Sequence, residues 1–474
     1  MSSLLIKNPL LVATMDDGRR EFAGGHILCR DGVLESLGPE PLDVEADEVI
    51  EADGMVVLPG FINTHHHLYQ TLTRNVPLLQ NRSLFGWLTG HYEIWRELTA
   101  EAVRVSATTG LLELMKSGAT TSSDHLYLFP ADCGGLLIDE EIEAAKELGI
   151  RFQPTRGSMS LGQSLGGLPP DDTVQTEKEI MADYERLLAR YHDDSPGAMV
   201  RLALAPCSPF SVTPELMRHT AKFAQANGLM MHTHLAETLD EERFCLREFG
   251  QRPLDFVDGL GWLAPNTWFA HAVHLNADEI TRLGDAGVGV SHCPTSNLRL
   301  GSGTAPVKEL LEAGVAVSLA VDGSASNDSS NILLETRNAL LISRTREEQH
   351  WLTARDTLLM ATRGGARALG RDDIGQLATG KRADLALFSL DGVEYAGGLA
   401  DPLAALVFSV RLSPVDYLVI DGKLRIRSGV AEVDEAALVG RHNRISGEML
   451  DRAARRTGID FRQHEDPATG QSRN

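Results

Sequence analysis

Chemistry in this chain is concentrated where short apolar runs stop. Met55 to Leu58 reads as a buried strand, Pro59-Gly60 ends it, and Phe61-Ile62 leads into His65-His66-His67. In an extended chain the side chains at i and i+2 share a face, so His65 and His67 can grip one ion while His66 points away. Two imidazoles suit zinc or ferrous iron, but two ligands do not complete a site. Three further apolar runs end in the same way. Leu229-Met230-Met231 runs into His232-Thr233-His234 and then Glu237; Thr267-Trp268-Phe269-Ala270 ends in His271; Val315 to Val321 ends in Asp322-Gly323. Functional groups at the C-terminal ends of successive strands are how an α/β barrel assembles its active site.

The elements that must hold these residues follow from pattern. Between about residues 60 and 370, helical periodicity alternates with short apolar segments, as a (β/α)8 barrel requires. Thr99 to Lys116 is amphipathic and is followed by a strand from Ala119 towards Asp124-His125. Helices are predicted over 140–148, 174–191, 213–227 and 278–286, with Thr213 and Pro214 as the cap and first position of the third. Strands are predicted over 150–153 (reaching Arg156), 200–205 and 289–292. Glycines, prolines and serines over 156–172 predict a mobile lid loop. Residues 3–58 and 383–427 carry short apolar runs separated by tight-turn pairs such as Asp31-Gly32 and Asp421-Gly422. Two sheet fragments flanking a long middle are most economically one β-sandwich. The division expected is therefore 1–59 plus 371–434 as a composite β-sandwich, 60–370 as the barrel, and 435–474 as a helix and a frayed polar tail.

A chain of 474 residues is too long for one ordinary core, and 43% hydrophobic content is normal for a globular protein. Its formal net charge of −22 argues against a nucleic-acid partner, which needs a basic footprint. Five cysteines with no Cys-x-x-Cys, no signal-like N-terminus and no apolar run near the roughly 20 residues that span a bilayer predict a reduced, cytoplasmic protein without membrane attachment.

The series Pro59-Gly60-Phe61-Ile62-Asn63-x-His65-x-His67, His234-x-x-Glu237, His271-Ala272-Val273-His274 and Asp322-Gly323-x-x-Ser326-Asn327 resembles the amidohydrolase superfamily. It is most similar to the deaminase branch acting on guanine, S-adenosylhomocysteine, 8-oxoguanine, pterins and hydroxytriazines; Ser291-His292-Cys293-Pro294-Thr295-Ser296-Asn297 belongs to the same resemblance. The resemblance covers about residues 3 to 430 and implies a barrel with a flanking sandwich, a homo-oligomer, and His65, His67, His234 and Asp322 as ligands of one divalent metal, zinc by default and Fe2+ as the alternative. Binuclear relatives carry a carboxylated lysine at the end of the fourth strand. Here that strand reads Leu202-Ala203-Leu204-Ala205-Pro206-Cys207, so a single metal is expected.

Deamination needs hydroxide attack on a ring carbon, protonation of a ring nitrogen and a proton for the departing amine. Glu237, three residues past a ligand, is the expected shuttle; His271 orients or deprotonates the water; Asp322 shares the proton work while ligating. His-x-Glu with Pro-Cys-x-x-Cys and His-Glu-x-x-His are absent, which removes the cytidine-deaminase and metalloprotease readings. A structural zinc would call for cysteines. For substrate contacts, Gln70 stands where guanine deaminases carry a purine-reading glutamine, whereas Pro209 stands where they carry an arginine before the phenylalanine. Arg156 is the expected donor to a carbonyl oxygen and His125 a further contact, with Trp87, Tyr127 and Cys207 as possible pocket walls. The expected reaction is hydrolysis of 8-oxoguanine to urate and ammonia; isoxanthopterin, guanine and a hydroxytriazine, including its dechlorination, are the alternatives.

Overall fold

The structure is a computed structural model that describes residues 2–133 and 136–464. The N-terminal strands are β1 (Ser3–Lys7), β2 (Leu11–Ala13), β3 (Glu21–Phe22), β4 (His26–Arg30), β5 (Val33–Gly38), β6 (Glu48–Glu51) and β7 (Met55–Pro59). Eight central strands follow: β8 (Phe61–Asn63), β9 (Ala119–Leu126), β10 (Arg151–Ser158), β11 (Ala203–Pro206), β12 (Met230–Leu235), β13 (Thr267–His271), β14 (Gly289–His292) and β15 (Ala316–Leu319). The C-terminal strands are β16 (Leu385–Ser389), β17 (Tyr417–Ile420), β18 (Lys423–Arg427) and β19 (Val430–Ala431).

The central strands lie side by side in sequence order, every pair parallel, and helices cover the outside. Closure between the last strand and the first is made by backbone and side-chain bonds at their upper ends. Asp322 N–H donates to the His65 carbonyl (3.2 Å) and Val321 N–H to Asn63 Oδ1 (3.0 Å). Inside, the Thr64 hydroxyl meets those of Ser291 and Ser318 at 2.7 Å each. The result is a TIM-type barrel.

Strands from both termini make the flanking β-sandwich. One sheet runs β5-β4-β1-β6; the other runs β19-β18-β17-β16-β7-β2-β3, so β7 and β16 join the two ends of the chain in antiparallel register from Met55 with Ser389 to Pro59 with Leu385. Leu4, Ile6, Ile27, Val57, Leu385 and Val419 are buried between the sheets. Because β7 passes into β8 after the single residue Gly60, the sandwich fixes where the first histidine strand enters the barrel.

Several boundaries differ from the pattern-based expectation: the helix expected over 140–148 begins at Leu137, the strand expected over 200–205 begins at Ala203, and three further differences have a local cause. The helix expected from Val174 starts at Glu177, because Thr176 and Glu179 close a reciprocal capping box there. Residues 156–158 belong to β10 rather than to a loop; the rest of 159–172 is irregular with short helical turns at Gln163–Leu165 and Asp171–Thr173. The last helix runs Glu435–Thr457, beyond Leu450, because Ala453 is buried on its inner face and Gly458 supplies the left-handed C-terminal residue. The frayed tail expected over 465–474 lies outside the described residues.

Candidate active site

Four strand ends bring four nitrogen and oxygen atoms together. His67 Nε2 lies 3.2 Å from His234 Nε2 and 3.3 Å from Asp322 Oδ1, and His65 Nε2 lies 3.3 Å from the same oxygen. A tetrahedron with arms of about 2.0–2.1 Å, the length of zinc–nitrogen and zinc–oxygen bonds, has edges of about 3.3 Å. His65 Nε2 is buried without a hydrogen-bond partner, which is costly unless something accepts its lone pair. The donor set and its spacing therefore fit a divalent metal.

The other ring nitrogen of each histidine is tied down, so each presents Nε2 to the centre. His67 Nδ1–H donates to the His125 carbonyl (2.7 Å) and His234 Nδ1–H to that of Cys207 (2.7 Å). His65 Nδ1–H donates to His232 Nε2 (2.7 Å), while His232 Nδ1–H donates to the Trp268 carbonyl (2.8 Å). Such outer partners fix both tautomer and ring orientation. Burial pushes the His65 and His234 imidazoles well below their usual pKa, which keeps them neutral as metal ligands must be. His66 turns outward and contacts Ser330 Oγ at 2.9 Å, as the two-residue alternation requires.

Beside the four atoms stand Glu237 and His271, the residues expected to handle protons. His271 Nε2 is 3.7 Å from Glu237 Oε2 and 4.0 Å from Asp322 Oδ2. Burial raises the Glu237 carboxyl above its usual range, with the Asp322 charge acting in the same direction. For His271 burial works against the charged form, but Glu237 and Asp322 outweigh it and raise its pKa. Burial also disfavours the Asp322 carboxylate, yet its contacts with His65 and His271 hold it well below the usual carboxylate range.

One segment supports all three of these groups. Asn297 Oδ1 accepts from His271 Nδ1–H (2.9 Å), Ser296 Oγ donates to Asp322 Oδ2 (2.6 Å), and Ser302 Oγ donates to Glu237 Oε1 (3.2 Å). Sequence reasoning gave Ser296, Asn297 and Ser302 no role. The signal was the run Ser291 to Asn297 placed directly after a strand end, where polar side chains face the barrel mouth. His232 was also missed, because its place two residues before His234 gave no hint that His65, just past β8, would be its partner.

A cavity opens above these converging atoms, with Gln70, Trp87, Tyr127, Phe210 and Leu300 among its walls and His67, His234, Glu237, His271 and Asp322 at its base. Trp87, Tyr127 and Cys207 all line it, as does Ser208. Gln70 is 1% exposed and its Oε1 has no partner among the described residues. A Cβ at Gly323 would fall 1.8 Å from that oxygen, so glycine is what lets the amide lie against the strand end.

Two expected substrate contacts are placed elsewhere. Arg156 follows Thr155, which is in register with His125, and the strand alternation turns it to the outside of the barrel. Its guanidinium is spent on Asp183 (2.6 Å), Gln175 (2.7 Å) and the Gly157 carbonyl, and lies 3.9 Å over the Phe129 ring. Arg156 therefore does not reach the cavity. His125 does point inward, but it sits beneath the metal cluster rather than on the cavity wall. Its Nε2–H donates to the Ala205 carbonyl (2.9 Å) and its ring stacks on His234 at 4.9 Å. It has a nitrogen grouped with those of His65, His67 and His234, all within 4.8 Å of one another.

Residues 56–425 match the Amidohydrolase family. The chain belongs to that family. It is 49% identical to the 8-oxoguanine deaminase of Pseudomonas aeruginosa over 95% of this chain and 100% of that one. It is 38% identical to the hydroxydechloroatrazine ethylaminohydrolase of Pseudomonas sp. (strain ADP), over 86% of this chain and 87% of that one. Among solved structures it is similar to the atrazine chlorohydrolase of Arthrobacter aurescens TC1 in complex with zinc: TM-score 0.89, 35% identity, 94% of this chain and 100% of that chain.

Proposed function

We propose that this chain is a zinc-dependent hydrolase acting on carbon–nitrogen bonds, a deaminase that converts 8-oxoguanine and water to urate and ammonia. The observation that carries the reading is the convergence at the cavity floor of ligand atoms of His65, His67, His234 and Asp322, with separations of 3.2–3.3 Å along the chain His65–Asp322–His67–His234, beside the Glu237–His271 pair. His65, His67, His234 and Asp322 would hold one zinc, which when bound would lower the pKa of a water to roughly 7 and so make hydroxide available at neutral pH.

The chain's own groups do the rest. His271 Nε2, kept on that face by Asn297, orients the water and takes its proton jointly with Asp322 Oδ2. That proton passes to Glu237, whose Oε2 lies 3.7 Å from His271 Nε2, and Glu237 delivers it to the ring nitrogen next to C2 as the oxygen adds to C2. It then takes the hydroxyl proton of the adduct and gives it to the exocyclic amine, which leaves as ammonia while the new C–O bond becomes a carbonyl. Burial raises the Glu237 carboxyl above its usual range, which makes it a better proton carrier than an exposed glutamate.

Two things favour an oxidised guanine. A relative at 49% identity is an 8-oxoguanine deaminase, and Gln70, whose Oε1 has no partner among the described residues, lines a cavity walled by Trp87, Tyr127 and Phe210, which fits a flat aminated bicycle. The test is kcat/KM for ammonia release from 8-oxoguanine, isoxanthopterin and guanine. We expect 8-oxoguanine to lead and guanine to trail, by up to about 10⁴–10⁵-fold if a buried hydrogen bond is lost. A clear preference for either competitor overturns the substrate and leaves the deaminase reading standing. Isoxanthopterin is the second reading, favoured by a 36% identical isoxanthopterin deaminase that matches 94% of this chain.

The reading includes a homo-oligomer, which rests on the family resemblance and which light scattering tests, and a cytoplasmic location, which rests on the cysteine pattern. Among the described residues no helix is long and apolar enough to cross a membrane.

A further inference from the structure

The turn that carries Glu237 into the site is held in an unusual way. Ala236 has φ +53, a left-handed conformation that a residue with a Cβ adopts at a cost of about 1 kcal/mol or more. Thr238 caps the helix Leu239–Phe249, and its side chain accepts from Glu241 N–H at 3.3 Å. In an ordinary capping box the acid at the third helical position reaches back to the cap residue's own N–H. Glu241 instead passes the cap and accepts from Ala236 N–H with Oε1 and from Glu237 N–H with Oε2, each at 2.9 Å. It is 1% exposed, so this carboxyl has been taken out of water to hold those two amides.

The same turn is bolted to its neighbour. The Ala236 carbonyl accepts from Val273 N–H (3.0 Å) and His274 N–H (2.9 Å), and the Leu235 carbonyl accepts from Ala272 N–H (3.1 Å). That neighbour is itself left-handed, at His271 (φ +73) and Ala272 (φ +48). The peptide before Glu237 is therefore gripped on its N–H side by Glu241 and on its carbonyl side by the turn that carries His271.

We propose that Glu241 is a positioning residue: its carboxylate clamps the left-handed Ala236–Glu237 turn and through it fixes the spacing of the Glu237 and His271 side chains. The proposal rests on the proton-transfer role assigned above to that pair. It needs no contact between Glu241 and substrate or metal.

The test compares the zinc-loaded full chain with Glu241→Gln, alone and combined with Ala236→Gly. An amide keeps one accepting oxygen and turns a donor towards the second N–H. We expect kcat for ammonia release to fall at least about 10-fold, with KM within about threefold and metal content unchanged, because a misplacement near 1 Å at a reacting group costs up to about 10²-fold. Glycine occupies the left-handed region without strain, so adding Ala236→Gly recovers at least about threefold of the loss. Hydrogen exchange reads the clamp without turnover: the Ala236 and Glu237 amides exchange at least about 10-fold faster in Glu241→Gln. Should that variant not fold, Ala236→Val, which sharpens the strain and leaves the carboxylate in place, is expected to lose kcat with metal retained. Unchanged exchange at the two amides, kcat within twofold, loss of metal in step with kcat, or no recovery with glycine each overturns the clamp. Failure of the natural chain to release ammonia from any of the three heterocycles overturns the deaminase reading instead, and the exchange measurement then still decides the clamp.

Discussion

In the proposed reaction Glu237 and the histidines assigned to the metal make separable contributions, and substitution separates them. Glu237→Gln keeps the size of the side chain and touches none of the four converging ligand atoms, so the chain is expected to fold and keep its metal. It loses the proton carrier, and kcat is expected to drop by at least about 100-fold, read as ammonia release against metal content. His67→Ala removes an atom that lies 3.2–3.3 Å from two of the other ligand atoms, and metal and activity should disappear together in the same assay. The pH dependence carries a sign as well. Burial raises the Glu237 carboxyl, so if its ionised form receives the proton, activity on the acid side falls at a pH above that of an ordinary carboxylate. A kcat/KM profile whose acid limb sits at or below the usual glutamate value would contradict that assignment.

At the scale of elements, a pair of buried acids holds the histidine segment to the helix layer. Asp124 on β9 accepts the Leu68 N–H at 2.6 Å, and on its other side meets Glu141 of the helix Leu137–Leu148. Both carboxyls are buried, Asp124 at 1% and Glu141 at 0% exposure, and burial raises both, Asp124 to about 7. They hold a proton between them in the folded state that the unfolded chain gives up near pH 4. The folded state thus binds more protons between about pH 4 and 7, and stability declines as pH rises through that window. Asp124→Asn keeps the acceptor for Leu68 and supplies an amide donor for Glu141. Its melting temperature is expected to fall less between pH 5 and pH 8 than that of the natural chain, by thermal melts at both pH values. An equal or steeper fall would show that the pair is not the titrating element.

For the molecule as a whole, Arg151 at the base of β10 ties the barrel to the sandwich. It is fully buried and donates to both oxygens of Asp384 (2.6 and 3.1 Å), to Asp421 (2.7 Å) and to the Gly197 carbonyl (2.6 Å). Removing one partner of a buried ion pair leaves an uncompensated charge, at a cost of roughly 3–5 kcal/mol. Arg151→Met is therefore expected to be strongly destabilised in denaturant melts, whereas Arg151→Met combined with Asp384→Leu recovers much of the loss. A second tie runs from the C-terminal helix: His442 contacts the Thr71 carbonyl (3.0 Å) and Ser446 Oγ donates to that of Leu72 (2.6 Å), on the segment that carries Gln70. The wall of the cavity is thus braced by the far end of the chain.

What could be read from sequence was local and periodic. Histidines two apart at the end of an apolar run must share a face, and runs of four to eight apolar residues alternating with amphipathic helices must stack as a parallel barrel. Those rules, with the family resemblance, named His65, His67, His234 and Asp322, and these are the residues whose ligand atoms converge. The direction of Arg156 was beyond that reading. It depends on the register of β10 against β9, and on Asp183 and Gln175 being there to take its guanidinium. The braces at Asn297, Ser302, His232 and Glu241 were equally invisible, because each meets its partner across strands or turns whose spacing only the closed barrel sets. A side chain's type follows from the sequence; which atoms it touches is decided when packing chooses one face, and here that choice separates a buried structural arginine from a substrate contact.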